Sequence, residues 1–328
     1  MLRRTLMTCA LGTAFVGAFA PALSHAAESA DTWPARPVRM LVGSAPGGGT
    51  DIMARAVADR LGPILKQSVI VENRPGVSNT LAADVAAKST DGVTMVMGVV
   101  TAHAIAPHLI KLPYDNNKDL VPIAFVGSVP NVLVVSNSVP AKTVQELVAL
   151  GKKEPGSLNY ASSGTGSTQH IAAEMFKDAA GVQITHVPYK GSSAALVDLV
   201  SGQVQMSFDT LPSVINQIKN NKMRALAVTP AHRNAHLPQV PTMTEAGYPS
   251  VAISAWYGIY MPASTPLAVQ QKVHDGVNKV LALPETQARL LAVGAELQPM
   301  SQADFAKYHM DEYKRFGEVI RKNNIKLD

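Results

Sequence analysis

Two stretches decide how this chain reads: Ser44-Ala-Pro-Gly-Gly-Gly-Thr-Asp51 and Ser162-Ser-Gly-Thr-Gly-Ser-Thr168. Each lies between a short apolar run and an amphipathic one. Ahead of the first, Val38, Met40 and Val42 alternate with Arg39 and Leu41 as in a strand. Behind it Ile52, Ala56, Val57, Leu61 and Leu65 recur as one face of a helix. The second turn follows the strand-like Leu158 to Ala161 and precedes the helical face Ile171, Ala172, Met175 and Phe176. Strand, small-residue turn and helix in that order aim the unpaired N–H groups and partial positive charge of the helix start beyond the strand end. Two such turns far apart in the chain predict two half-sites, with an anion held between two lobes, and favour a binding protein over a catalyst.

Working outward, Val69 to Val71 begins a strand that Arg74-Pro-Gly76 breaks. Thr80 to Lys88 reads as a helix, Asp91-Gly92 as a turn and Thr94 to Val100 as a buried strand. The pattern is βαβαβ, a mostly parallel sheet with helices on both faces. A second series has strands at Val132 to Val135, Leu158 to Ala161, Ile184 to Val187 and Val204 to Phe208. Its helices are one capped by Thr143 and running to Leu150, one after the second turn, and Ser193 to Val200. The apolar run Trp256 to Met261 then precedes two helical stretches, Ala268 to Leu283 and Gln302 to Asn323, expected to pack back across a lobe rather than form a third domain.

The N-terminus reads as a secretory leader: Arg3 and Arg4, the apolar Ala10 to Ala20, and the small-residue site Ser24-His25-Ala26, with the mature chain starting at Ala27. No later apolar run reaches the roughly 18 residues of a membrane helix, so an exported protein is expected in the periplasm. The one cysteine, Cys9, lies in the leader, which excludes disulfides, thiolate catalysis and cysteine-ligated metals from the mature chain. The net charge of +5 is scattered and aromatics make up 5% of the chain, a poor match to a nucleic-acid partner.

Gly164 to Thr168 lacks the lysine of a phosphate loop and the third glycine of a dinucleotide fingerprint, so no nucleotide cofactor is expected. What remains are N–H groups and the hydroxyls of Ser163, Thr165 and Ser167, suited to a carboxylate. For either turn alone, a helix cap without a ligand stays open. Asp51 and Asp209 sit at strand ends, where α/β proteins place ligands. A helix cap is the preferred reading of Asp51, and both a ligand role and a structural one stay open for Asp209. His170 stands within reach of an anion at the second turn. His232 and His236 have the spacing of a metal pair, but Pro230, Asn234 and Pro238 spoil the helix and no glutamate accompanies them, so no metal is expected. Gly-x-Ser-x-Gly is absent, although a hydrolase triad assembled from distant residues stays open.

At these residues the chain resembles the periplasmic solute receptors of tripartite tricarboxylate transporters, the Bug proteins. The resemblance runs from Trp33-Pro34 to the C-terminus. It rests on Ala45-Pro-Gly-Gly-Gly-Thr-Asp51, Val71-Glu-Asn-Arg-Pro-Gly76, Asp91-Gly92, Leu112-Pro-Tyr-Asp115, Tyr160 through His170, His186-Val-Pro-Tyr-Lys-Gly191, Phe208-Asp209, Leu226-Ala-Val-Thr229 and Val240-Pro-Thr242. It implies an α/β, two-lobed type II periplasmic binding fold with the ligand cleft between lobes: residues 27–128 and 254–328 in one lobe, 129–253 in the other, after a leader at 1–26. Carried over, the implied ligand residues are Gly48, Gly49, Thr50 and Asp51 from one lobe and Ser162, Gly164, Gly166, Ser167, Thr168 and His170 from the other, with Asp209 lining the cleft. Three departures stand out: Gly76-Val-Ser-Asn-Thr80 for the usual Gly-Ala-Gly-Gly-Asn, Asp91-Gly-Val-Thr94 for Asp-Gly-Tyr-Thr, and Val100-Thr-Ala-His-Ala-Ile-Ala106 for Asn-Thr-His-Ala-Ile-Asn. The first and third bear on the cleft wall and hence on the ligand.

The function expected is a non-enzymatic, monomeric receptor that captures a small organic carboxylate and delivers it to membrane transporter subunits. An extracytoplasmic sensor and an exported hydrolase are the alternatives.

Overall fold

The computed structural model describes residues 32–326; the expected leader and Cys9 lie outside the described residues. Alternation gives β1 (Val38–Val42), which α1 (Gly49–Leu65) links to β2 (Val69–Asn73), and α2 (Thr80–Ala87) links that strand to β3 (Thr94–Val99). The three strands are parallel in the order β2-β1-β3. Every residue of β3 is buried, as in a strand covered by helices on both faces.

The second series opens with β4 (Leu120–Ser136) and α3 (Val144–Lys153), which Thr143 caps by accepting the Glu146 N–H at 3.1 Å. It continues through β5 (Asn159–Ser162), α4 (Thr168–Ala180), β6 (Thr185–Pro188), α5 (Ser192–Ser201), β7 (Met206–Thr210), α6 (Leu211–Lys219) and β8 (Met223–Val228). Here β6, β5 and β7 run parallel in that order, repeating the arrangement of the first series. Sequence reading caught only Val132 to Val135 of β4 and passed over α6 and β8.

β9 (Ser254–Pro262) explains the length of β4. The two pair antiparallel from Leu120↔Pro262 to Pro130↔Ser254, while β9 also pairs with β3. From Asn131 onward β4 pairs instead with β7 and β8. One strand thus belongs to both halves of the sheet, and the fold is mixed α/β, as expected. After β9 come α7 (Leu267–Ala282), α8 (Pro284–Ala292), not foreseen, and α9 (Gln302–Lys322). These pack back on earlier elements: α7 and α8 on α1, and α9 on β4 and a π-helical turn at Thr101–Ile105.

Aromatic rings dock α9. Phe305 meets Trp256 and Tyr260 edge-on at centroid distances of 6.2 and 5.4 Å, and each such pair adds about 0.5–1.5 kcal/mol beyond area burial. Gly258 on β9 leaves room for the Phe305 ring, which a Cβ there would strike. Beside this contact His309 Nε2–H donates to Asn117 Oδ1 (3.1 Å), leaving Nδ1 to accept from the Tyr260 hydroxyl (2.8 Å). His103, in the π-helical turn, stacks on Tyr260 at 3.9 Å and donates from Nδ1 to Asn116 Oδ1 at 2.8 Å. Burial pushes His103 down to about 3, with His309 adding to the shift, and pushes His309 down to about 4, so both rings are neutral.

Candidate functional site

The two glycine-rich turns share one geometry. A glycine at φ +79°, a conformation costly for any other residue, precedes the helix N-cap in each: Gly47 before Gly48, Gly166 before Ser167. The N-caps match, at φ −72°, ψ 162° and φ −72°, ψ 163°. In each the N-cap N–H closes the turn on the carbonyl three residues back, Gly48 on Ala45 and Ser167 on Gly164, both at 3.1 Å. The glycine N–H is in each case taken by the side chain four residues on, Gly47 by Asp51 Oδ2 (2.9 Å) and Gly166 by His170 Nδ1 (3.1 Å). Asp51 and His170, both named as ligand residues from the sequence, hold equivalent posts behind their turns and do not border the cleft.

Asp51 is not the N-cap expected: α1 starts at Gly49, and the carboxylate reaches back from the first turn instead of forward. Its Oδ1 accepts from Asn73 at 2.9 Å, and Arg55 Nε pairs with both oxygens at 3.0–3.1 Å. Burial alone raises its pKa, but the bonds from Arg55, Gly47 and Asn73 prevail and hold it below the usual carboxylate range. The second turn is stiffened by rings: His170 lies flat on His186 (4.2 Å, 4°), whose Nε2 meets Ser162 Oγ at 2.7 Å. This serine and histidine form a contact of hydrolase type, yet Ser162 is fully buried, also accepts the Gly164 N–H at 3.2 Å, and lies outside the cleft lining.

Between the turns runs a cleft of about 1230 Å³. Gly48, Gly49 and Thr50 border it from one half, and Gly164, Gly166, Ser167 and Thr168 from the other. The starts of five helices, α1, α2, α4, α5 and α6, face it through Gly49, Asn79, Thr168, Ser192 and Thr210. Only α4 has a side-chain cap, Ser167 Oγ accepting the His170 N–H at 3.3 Å. In α1 the first intrahelical bond runs from Ile52 N to Gly48 O, so the N–H groups of Gly49, Thr50 and Asp51 have no intrahelical acceptor. Among the described lining residues none carries a carboxylate, and Lys190 is the one cation. The field in the cleft therefore favours an anion.

Asp209 stands behind the wall. Its Oδ1 accepts from Thr210 N (2.7 Å), Ser192 Oγ (2.9 Å) and Gln169 Nε2 (3.1 Å), so it ties together three helix starts without reaching the cleft. Burial raises its pKa, and the bonds it accepts offset only part of that.

This arrangement has known counterparts. Residues 53–325 match the family described as tripartite tricarboxylate transporter family receptor. The chain belongs to that family. The receptor is 36% identical to protein BugT of Bordetella pertussis, over 96% of this chain and 98% of that one. Among solved structures it is similar to Rhodopseudomonas palustris Rpa4515 with adipate (34% identity, TM-score 0.83, 90% of this chain and 100% of that one). It is also similar to MatC from Rhodopseudomonas palustris with bound malate (30%, 0.79, 88% and 100%).

Several residues of the receptor's cleft escaped sequence reading. Gly191-Ser192-Ser193 is a third small-residue turn between strand and helix, and the criterion applied to the first two would have found it. Thr210 with Pro212 behind it is a helix start marked by proline in the first turn. Ser78 and Asn79 occupy left-handed backbone, φ +51° and +65°, where the family pattern has glycines. Their side chains join the cleft wall, and Asn79 Nδ2 donates to Thr101 Oγ1 at 3.0 Å. Gly43 permits this approach, since a Cβ there would come 2.5 Å from that of Asn79. Tyr257 gave no local signal: strand pairing alone brings it to the cleft floor beside Val129 and Ala255.

Proposed function

We propose that this receptor captures a small organic carboxylate in the periplasm and hands it to the membrane subunits of a tripartite tricarboxylate-type transporter. The observation that carries this is the convergence of five helix starts on a cleft lined without a carboxylate. Micromolar affinity corresponds to about 8 kcal/mol; at about 1.5–3 kcal/mol for each bond to a charged group, roughly three to five N–H donors supply it. The adipate and malate of the two related structures fit the same chemistry.

The contacts assigned to the acid are Gly48, Gly49 and Thr50 from one lobe and Gly164, Gly166, Ser167 and Thr168 from the other, with Asp51, Ser162, His170 and Asp209 acting from behind. The lobes are residues 27–128 with 254–328, and 129–253, in keeping with the change of partner along β4 near Pro130. The cleft exceeds the roughly 300–1,000 Å³ of ordinary small-molecule sites, which favours closure of the lobes about β4 and β9 on binding. The receptor acts as a monomer and without turnover; the buried Ser162–His186 contact, outside the cleft, argues against a hydrolase. A leader at 1–26 delivers it to the periplasm, in keeping with the absence, among the described residues, of a helix long and apolar enough to cross a membrane.

The test is melting of the mature protein with succinate, malate, adipate, citrate and benzoate. An acid at a hundredfold excess over its Kd adds about 2.7 kcal/mol, so a selective rise with one class is expected. No rise with any of the five, in protein freed of co-purified ligand by unfolding and refolding, would overturn the reading.

A further inference from the structure

Strand β9 carries Tyr257 between Val99 of β3 and Gly127 of β4, at the centre of the sheet. Its side chain is 5% exposed, yet it lines the cleft. The ring is packed and the hydroxyl lies over the start of α1: a Cβ on Gly49 would come 2.9 Å from Tyr257 Oη. The buried hydroxyls of Tyr260 and Tyr160 have work inside the protein, with His309 at 2.8 Å and Glu174 at 2.6 Å. Among the described residues those of Ser44, Tyr114 and Thr286 have no partner, but Tyr114 and Thr286 lie away from the cleft and Ser44 Oγ is itself sealed from it. For Tyr257 Oη no hydrogen bond to another group is found among the described residues. A polar atom fixed by buried packing, without a protein partner, at the mouth of an uncapped helix has the placement of a ligand group.

We infer that the Tyr257 hydroxyl donates a hydrogen bond to the carboxylate held at the α1 start, making it a specificity-determining residue of the receptor. The inference rests on the carboxylate reading of the cleft. Burial pushes the phenol up to about 12, so it stays protonated and donates throughout the neutral range. The hydroxyl adds an acceptor-seeking group beside N–H donors of the same sense. An oxygen anion satisfies them all, whereas an ammonium in that position leaves every one unpaired. Because β9 pairs with β3 and the first part of β4, Tyr257 belongs to the same half as the α1 start, and its donor keeps its place over that helix whether the lobes are apart or together.

Tyr257→Phe keeps the ring and deletes only the donor. Titration calorimetry of both proteins with succinate, malate, adipate and citrate, together with ligand-free melting, separates the possibilities. The expected result is a loss of at least about tenfold in affinity for the acid bound best by the wild type, with a ligand-free Tm no lower than wild type, since no protein bond is broken. Equal affinities in the two proteins would overturn the role of Tyr257 alone. A lowered Tm accompanying the loss would overturn it as well, assigning the hydroxyl to the fold. Failure of the wild type itself to bind any of the four acids would instead overturn the carboxylate reading, and the inference with it.

Discussion

Asp51 controls its turn without facing the ligand. It closes the Gly47 turn from behind, paired with Arg55 and Asn73, so its removal frees the backbone that presents the Gly49 and Thr50 N–H groups. Asp51→Ala is expected to fold, to lose about 1.5–3 kcal/mol of stability, as for other bonds to a charged group, and to bind its acid more weakly. Denaturant melts and titration calorimetry check both; unchanged affinity would detach the turn from binding. The pKa of Asp51 is depressed in the fold, so its contribution is present above the ordinary aspartate value and lost as pH falls through the folded one. His170 does the same work in the other turn, and the sequence hinted at it only by its distance from the glycine. Reading chemistry into these two side chains was natural, since an ionisable group beside a glycine turn looks the same in sequence whether it faces the ligand or the backbone.

Helix α9 is held by neutral histidines, which makes its docking sensitive to acid. His103 and His309 have folded values near 3 and 4 against an ordinary 6.5. A depressed histidine stabilises fully above its unfolded value, so stability declines as pH drops below about 6.5 and keeps declining until the folded values are passed. The expected outcome is a Tm that falls between pH 6.5 and 4, with a shallower slope in His309→Gln, measured by calorimetry across that range. A parallel slope in the variant would assign the acid sensitivity elsewhere. The helix was plain from its periodicity, and so were α1, α4 and their turns, because caps and apolar faces are local signals. β4 was not: Pro122, Gly127 and Pro130 interrupt its apolar run, and register shifts near Pro122 and Phe125 absorb the first two. Its partners lie far along the chain, and no window of sequence contains both, which is also why Tyr257 gave no sign.

At the scale of the whole molecule, two adjacent antiparallel strands, β4 and β9, carry the sheet from one half to the other. Closure about such a pair predicts that the acid found by melting also lowers the radius of gyration in small-angle scattering. An unchanged radius would mean capture by a rigid cleft. The general plan, two βαβαβ series with a helical tail folded back, was legible in advance; the shared strand that joins them was not.

The paired turns present their anion donors as main-chain amides, and that has a consequence for how such a protein can change. A peptide N–H is supplied by every residue but proline, so drift in the side chains of Thr50 or Thr168 leaves the charge preference untouched. What drift alters is the frame around those amides, at places such as Ser78, Asn79 and Tyr257. A cleft built this way can change which anion fits it without losing its preference for an anion.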